Sequence, residues 1–352
     1  MSKKTVGIAF SGGVDSTMAA SLLLEGGWPV VGFFMELAQP DLENDRMRAR
    51  RMAAQLGIEL RSVDLRADFQ KRVLDYLRAE YRRGSTPNPC FICNREIKFG
   101  LLRRAMAEAG ISSMATGHYA NIHQENGPRL FRGADQKKDQ SYFLAGLARQ
   151  QLDGLMLPLG NYQKQDIVAM AKARGLTEFP DESQDACFLA EMTVGDFLAQ
   201  EYGEERGKPT GRILTTAGEE IGRHRGLFRY TVGQRRGLNL PVAMPDQAPW
   251  YVVGLDAEQD ALIVGKNEEL LKKTFTTGPA RWLNPPSDFT GLFTVRIRAG
   301  HAGAAANLFP DGQGGLGIHF VERQRAIAPG QFAVIYRDDE VLGAAVIAAS
   351  GK

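Results

Sequence analysis

Between an apolar run at Val6–Phe10 and a helical pattern at Thr17–Glu25 stands the segment Ser11-Gly12-Gly13-Val14-Asp15-Ser16. Two glycines let the backbone turn sharply and point successive N–H groups into one concavity. The helix that follows aims its positive end at the same spot, and Ser11, Ser16 and Thr17 add hydroxyls. Such a nest suits free pyrophosphate or the β,γ-phosphates of ATP. It is neither G-x-x-x-x-G-K-[ST] nor G-x-G-x-x-G, and no lysine enters the turn. Asp15 serves either as a helix cap or as a carboxylate that Mg²⁺ bridges to the phosphates.

The residues that follow alternate strand and helix patterns. Strands are expected over Pro29–Met35, Ile58–Val63 and Ser113–Gly117, with helices over Asp45–Leu56, Ala67–Tyr81 and Ile97–Ala109. This rhythm predicts an α/β domain with a mostly parallel sheet, whose ligands bind beyond the carboxyl ends of the strands. From Gly207 onward the chain is rich in Gly and Pro, with short alternating runs. Tyr251–Leu255 and Ala261–Val264 read as a hairpin, and Phe293–Ile297, Gln331–Tyr336 and Val341–Ile347 as further strands. The expected organisation is an N-terminal nucleotide-binding domain over 1–195, a small β-rich domain over 196–268 and a C-terminal β-barrel over 269–352.

The 352 residues are 43% hydrophobic and 24% charged, ordinary for a globular protein. No apolar run approaches the ~20 residues that span a bilayer, and the N-terminus lacks a signal-peptide pattern, so a cytoplasmic location is expected. The net charge of +2 selects no partner. Basic clusters such as Arg46 with Arg48, Arg50 and Arg51, and Arg235-Arg236, permit a polyanion without requiring one.

The 3 cysteines, Cys90, Cys93 and Cys187, are too few for a secreted disulfide framework. An isolated Cys-x-x-Cys points to redox chemistry, metal ligation or nucleophilic catalysis. Cys90 and Cys93 lie in Thr86-Pro87-Asn88-Pro89-Cys90-Phe91-Ile92-Cys93-Asn94-Arg95-Glu96-Ile97-Lys98-Phe99, just before a helix. A helix N-terminus with Arg95 and Lys98 nearby is expected to lower the thiol pKa there and supply thiolate.

These segments occur in order with Ala115-Thr116-Gly117-His118-Tyr119, Lys138 to Leu144, Ser183 to Phe188, Tyr230 to Leu238 and Pro249 to Val253. Together they resemble the bacterial tRNA-specific 2-thiouridylase family of the PP-loop ATP pyrophosphatases, over nearly the whole chain. The resemblance implies ATP-dependent 2-thiolation of the wobble uridine U34, in tRNAs for Lys, Glu and Gln, with release of AMP and pyrophosphate. It implies that Ala9, Phe10, Ser11, Gly12, Gly13, Val14, Asp15 and Ser16 hold the ATP phosphates, with Met35 and Gly117 flanking the nucleoside. Cys93 is implied as nucleophile and Cys187 as persulfide carrier, with Asn88, Pro89 and Cys90 against the target uridine. His118, Asp139, Gln140, Ser141, Arg298, Ala299 and Gln331 are implied to face tRNA. The sulfur source is a cysteine desulfurase, a relay protein or sulfide.

One position departs from the family pattern. Where the family commonly carries Asp-x-x-Cys, this chain has Cys90-x-x-Cys93. Two readings follow: a two-cysteine persulfide relay with Cys90 as spectator or resolving thiol, or a [4Fe–4S] cluster on Cys90, Cys93 and Cys187. Two rival functions are an amide-forming PP-loop ligase, which needs no cysteine, and a catalytically dead RNA-binding fold.

Overall fold

The computed structural model describes residues 3–176, 179, 186–189, 192–202, 211–238, 240 and 248–348. The N-terminal sheet contains β1 (Val6–Ala9), β2 (Val30–Glu36), β3 (Glu59–Asp64), β4 (Ser113–Ala115) and a fifth strand at Leu155–Met156. All its pairings are parallel, in the order β3, β2, β1, β4 and then Leu155–Met156. The chain leaves β1 toward β2 on one side and reaches β4 on the other. The topological switch point therefore lies between β1 and β4, where such sheets bind ligands.

Helix α1 (Val14–Glu25) and helix α2 (Leu42–Leu56) cover one face, burying Met18, Ala19, Leu23, Ala49 and Met52 against Val6, Ile8 and Phe34. On the other face a helical stretch over 66–82 and a cysteine helix over 89–108 bury Phe69, Val73, Leu77, Phe91, Ile97 and Leu102. Each of these two stretches is α-helical at both ends and π-helical within, at Gln70–Leu74 and Cys93–Leu102. The cysteine helix starts at Pro89, earlier than the apolar periodicity predicts, because Asn88 caps it and proline suits its first turn.

A second sheet has four strands, Tyr251–Asp256, Ala261–Gly265, Arg212–Thr215 and Glu220–Arg223, and contains the expected antiparallel hairpin. The third is a nine-stranded antiparallel sheet. Seven of its strands come from 271–346, and its last two are the hairpin Ala120–Gln124 and Pro128–Arg132. That hairpin leaves the end of β4 and pairs with Glu340–Val346 through Phe131 and Glu340. The C-terminal module is thus continued by strands from the N-terminal part of the chain.

Polar contacts seal this junction. Arg129 donates to both carboxylate oxygens of Glu340, which also accepts from Asn284 at 2.9 Å. Arg296 pairs with Asp139 at 2.7 Å, with side chains only 9% and 2% exposed. The Tyr142 hydroxyl donates to the Phe332 carbonyl at 3.0 Å, and the Phe91 and Phe332 rings stack with centroids 3.6 Å apart.

Candidate active site

The phosphate loop leaves the carboxyl end of β1. Gly12 has a φ of +73° and lies so close to α2 that a Cβ there would stand 2.7 Å from the Ala49 Cα. Glycine is required both by the backbone angle and by that approach. Gly13 is the cap residue of α1, and no side chain caps the helix N–H groups. The loop keeps its shape by internal bonds: the Ser11 N–H donates to Ser16 Oγ at 3.2 Å, and Ser16 Oγ donates to the Gly13 carbonyl at 3.1 Å. Uncapped N–H groups at a helix start, on an internally braced loop, form an anion site.

Asp15 does not stand free in this nest. Lys164 Nζ reaches its two oxygens at 2.7 and 2.8 Å, and the Tyr119 hydroxyl donates to it at 2.7 Å. A lysine 149 residues away thus balances the charge of this carboxylate. Lys164 opens the helix Lys164–Ala173, and nothing in its local sequence announces that position. Gly117, after β4, closes the nest from the other side of the switch point. Its hypothetical Cβ would lie 2.8 Å from the Asp15 carbonyl carbon. Met35 sits half-buried near the end of β2, with its carbonyl accepting from Gln39.

The cysteine helix is docked by the C-terminal sheet. The Thr86 N–H donates to the Pro329 carbonyl at 2.8 Å, and Gln331 Nε2 donates to the Thr86 carbonyl at 2.9 Å. Asn88 Oδ1 accepts from the Phe91 N–H at 3.1 Å and so caps the helix. Cys90 and Cys93 are half-buried, and Cys187 is exposed beside the buried anchors Phe188 and Leu189. The accompanying Ser183, Gln184 and Asp185 lie outside the described residues.

The thiols are not acidified. Burial is the leading cause at the two half-buried thiols: it pushes Cys93 up to about 12 and Cys90 upward, while Lys98 pulls all three cysteines down. The expected lowering at Cys93 is therefore corrected: desolvation of the anion outweighs one nearby cation, and Arg95 is engaged by Glu96 at 2.8 Å. The sulfurs also feel one another, Cys93 responding to Cys187 and Cys90, and Cys187 to Cys90. The two cysteine blocks thus meet. Among the described residues no three His, Cys, Asp or Glu groups gather to hold a single metal ion.

His118 links the thiols to the nest. It follows Gly117, its ring lies 5.7 Å from Phe99 of the cysteine helix, and Lys98 acts on it electrostatically. It is buried, bonded to Thr116 Oγ1 at 2.8 Å and held neutral by desolvation. Only 7% of its surface is exposed. Asp139 and Ser141 are likewise buried: Asp139 is paired with Arg296, and Ser141 Oγ bonds to Asp139 and lies 3.3 Å from the Tyr336 hydroxyl. Gln140 accepts from the Tyr119 N–H at 3.0 Å. Arg298 is exposed, with Ala299 half-buried beside it.

An uncapped phosphate nest at the switch point of a parallel sheet, with the cysteine helix packed on that sheet, is the arrangement of the HUP/PP-loop class. The family described as "tRNA methyl transferase HUP domain" matches residues 4–191, "tRNA methyl transferase PRC-barrel domain" residues 195–266, and "Aminomethyltransferase beta-barrel domain" residues 272–347. The tRNA-specific 2-thiouridylase MnmA of Desulfotalea psychrophila is 46% identical over 350 residues, covering 99% of this chain and 100% of that protein. That of Chloroflexus aurantiacus is 42% identical, with 97% of each chain covered. That of Syntrophotalea carbinolica is 39% identical, with 98% and 99% covered. The chain belongs to the tRNA-specific 2-thiouridylase family.

Proposed function

We propose that this chain is an ATP-dependent tRNA-uridine 2-sulfurtransferase that thiolates the wobble uridine. The observation that carries the proposal is the meeting of an uncapped phosphate nest and paired cysteine blocks across one switch point, bridged by Gly117 and His118. Domains over 1–195, 196–268 and 269–352 share the work: the first activates, and the β-rich two position tRNA. The anticodon base is splayed from its single-stranded loop to reach the site.

In the first half-reaction the uridine O2 attacks the α-phosphorus of ATP. The bond to pyrophosphate breaks, N3 gives up its proton, and C2 now carries AMP as its leaving group. The nest formed by Ala9 to Ser16 holds the phosphates, with Lys164 poised at its rim, and Met35 and Gly117 flank the nucleoside. In the second half-reaction the terminal sulfur of a Cys187 persulfide bonds to C2, and AMP departs with O2. The Cys93 thiolate then attacks the Cys187 sulfur. The S–S electron pair passes to the sulfur on C2, N3 regains a proton, and a Cys93–Cys187 disulfide remains. An external thiol reductant reopens it, and a desulfurase or relay protein reloads Cys187. Mg²⁺ enters with the nucleotide, and no step is routed through iron.

Positioning and charge stabilisation are the protein's contribution. Asn88, Pro89 and Cys90 border the uridine, and Gln140, Arg298, Ala299 and Gln331 form the tRNA-side rim. An amide-forming ligase has no use for Cys93. The deciding experiment is pyrophosphate release from ATP: it is expected only when tRNA bearing an unmodified wobble uridine is present. Release at the same rate without RNA would defeat the proposal.

A further inference from the structure

Lys98 has no role in the mechanism so far. It stands five residues after Cys93, within the π-helical segment Cys93–Leu102. In an α-helix that spacing leaves two side chains roughly 140° apart around the axis. A π-helix closes its bond from i to i+5, so residues five apart stack along one face. The wider turn therefore places Lys98 closer to the Cys93 face of the helix than an α-helical turn would, in keeping with its electrostatic pull on that thiol. Lys98 is half-buried, and among the described residues it makes no hydrogen bond or ion pair. The neighbouring carboxylate, Glu96, is taken by Arg95 and Arg72. Lys98 acts on Cys90, Cys93, Cys187 and His118, and among the described residues it is the one cation bearing on the sulfurs. Asp45 opposes it at Cys187.

We propose that Lys98 supplies the fixed positive potential for the sulfur-transfer half of the reaction, placed over Cys93 by the π-helical turn. This rests on the thiolation mechanism above. During that half-reaction one negative charge passes from the persulfide sulfur to the departing AMP, and a second from Cys93 to the sulfur on C2. An ammonium held in place in a water-poor site stabilises such charge without reorganising. It has no part in the attack of O2 on ATP, which takes place at the phosphate nest.

The test compares Lys98→Met and Lys98→Arg with the unmodified full-length protein. Cys93 is alkylated with iodoacetate, an anion, and with iodoacetamide, which is neutral, and the rates are read site by site by peptide mass spectrometry. Both reagents attack the same thiolate, so the ratio of their rates cancels its abundance and reads the local potential. Lys98→Met is expected to lower the ratio several-fold, and Lys98→Arg to restore it. In single turnovers Lys98→Met should slow 2-thiouridine formation by about a hundredfold, the scale of losing one charge-stabilising donor, with tRNA-dependent pyrophosphate release retained. Should Lys98→Met not fold, salt offers a second reading: 0.5 M KCl should lower the ratio in the unmodified protein by screening. An unchanged ratio in a folded Lys98→Met, or a salt-independent one, overturns the proposal, as does equal loss of pyrophosphate release and thiolation. Failure of the unmodified protein to release pyrophosphate defeats the thiolation reading instead, while the alkylation ratio still decides the role of Lys98.

Discussion

An added methyl at Gly117 would stand 2.8 Å from the Asp15 carbonyl carbon and 3.0 Å from the Ser16 nitrogen, which are atoms of the phosphate nest itself. Neither neighbour is the end of a flexible side chain, so Gly117→Ala must shift the start of α1. The expected result is a KM for ATP raised about tenfold or more, equivalent to ~1.4 kcal/mol, with little change in global stability. ATP titrations of pyrophosphate release check this, and an unchanged KM would show that the nest tolerates the displacement. His118, next in the chain, sets a pH limit. Its folded pKa lies well below 6.5 because of burial, so the unfolded chain takes a proton there that the folded chain refuses. Stability present above pH 6.5 is then lost as pH falls, by up to about 1.4 kcal/mol per unit. His301 acts in the same direction. Urea titrations of His118→Asn between pH 7 and 5 should show a shallower slope than the unmodified chain, and equal slopes would contradict the assignment.

The elements of the N-terminal sheet are legible in the sequence because each repeats a local period. Val6–Ala9, Val30–Glu36 and Glu59–Asp64 are short apolar or alternating runs, and α2 keeps a helical stripe. The phosphate loop is equally legible, since its two glycines and hydroxyls sit in one stretch of chain. The cysteine helix is legible only in part: widening its turns over Cys93–Leu102 costs nothing that residue type or spacing records. Thiol acidity is hidden for the same reason, because spacing shows charges near Cys93 but not the protein that desolvates it. Nor could local signals announce that the hairpin at 120–132 pairs with strands more than 200 residues away, or that Lys164 reaches Asp15. Asn88 ahead of Pro89 is also a cap signal of the sequence itself. Removing it by Asn88→Ala should cost about 1 kcal/mol, seen as a lower urea midpoint at constant m-value; no change would mean the cap is dispensable.

Across the whole molecule, the catalytic sheet and the C-terminal sheet are locked together by buried polar pairs. The Arg296–Asp139 pair is the most enclosed, and Asp139 also accepts the Gly133 and Ser141 N–H groups at 3.1 and 3.0 Å. Asp139→Ala strands a buried guanidinium and should destabilise by about 3–5 kcal/mol. Replacing both partners, in Asp139→Ala with Arg296→Met, should recover much of that loss. Additive losses in urea unfolding would show that the two side chains act independently. Thr86 and Gln331 carry the same lock to the cysteine helix, so loosening it should reach sulfur transfer as well as stability. The central claim, that ATP binding and cysteine chemistry serve one reaction on tRNA, meets its most direct test in nucleoside analysis of tRNA after incubation with ATP, Mg²⁺ and a sulfur donor. The account predicts 2-thiouridine at position 34 with the unmodified chain and none with Cys93→Ser. Undiminished thiolation by Cys93→Ser, or none by the unmodified chain with an active donor, would contradict it.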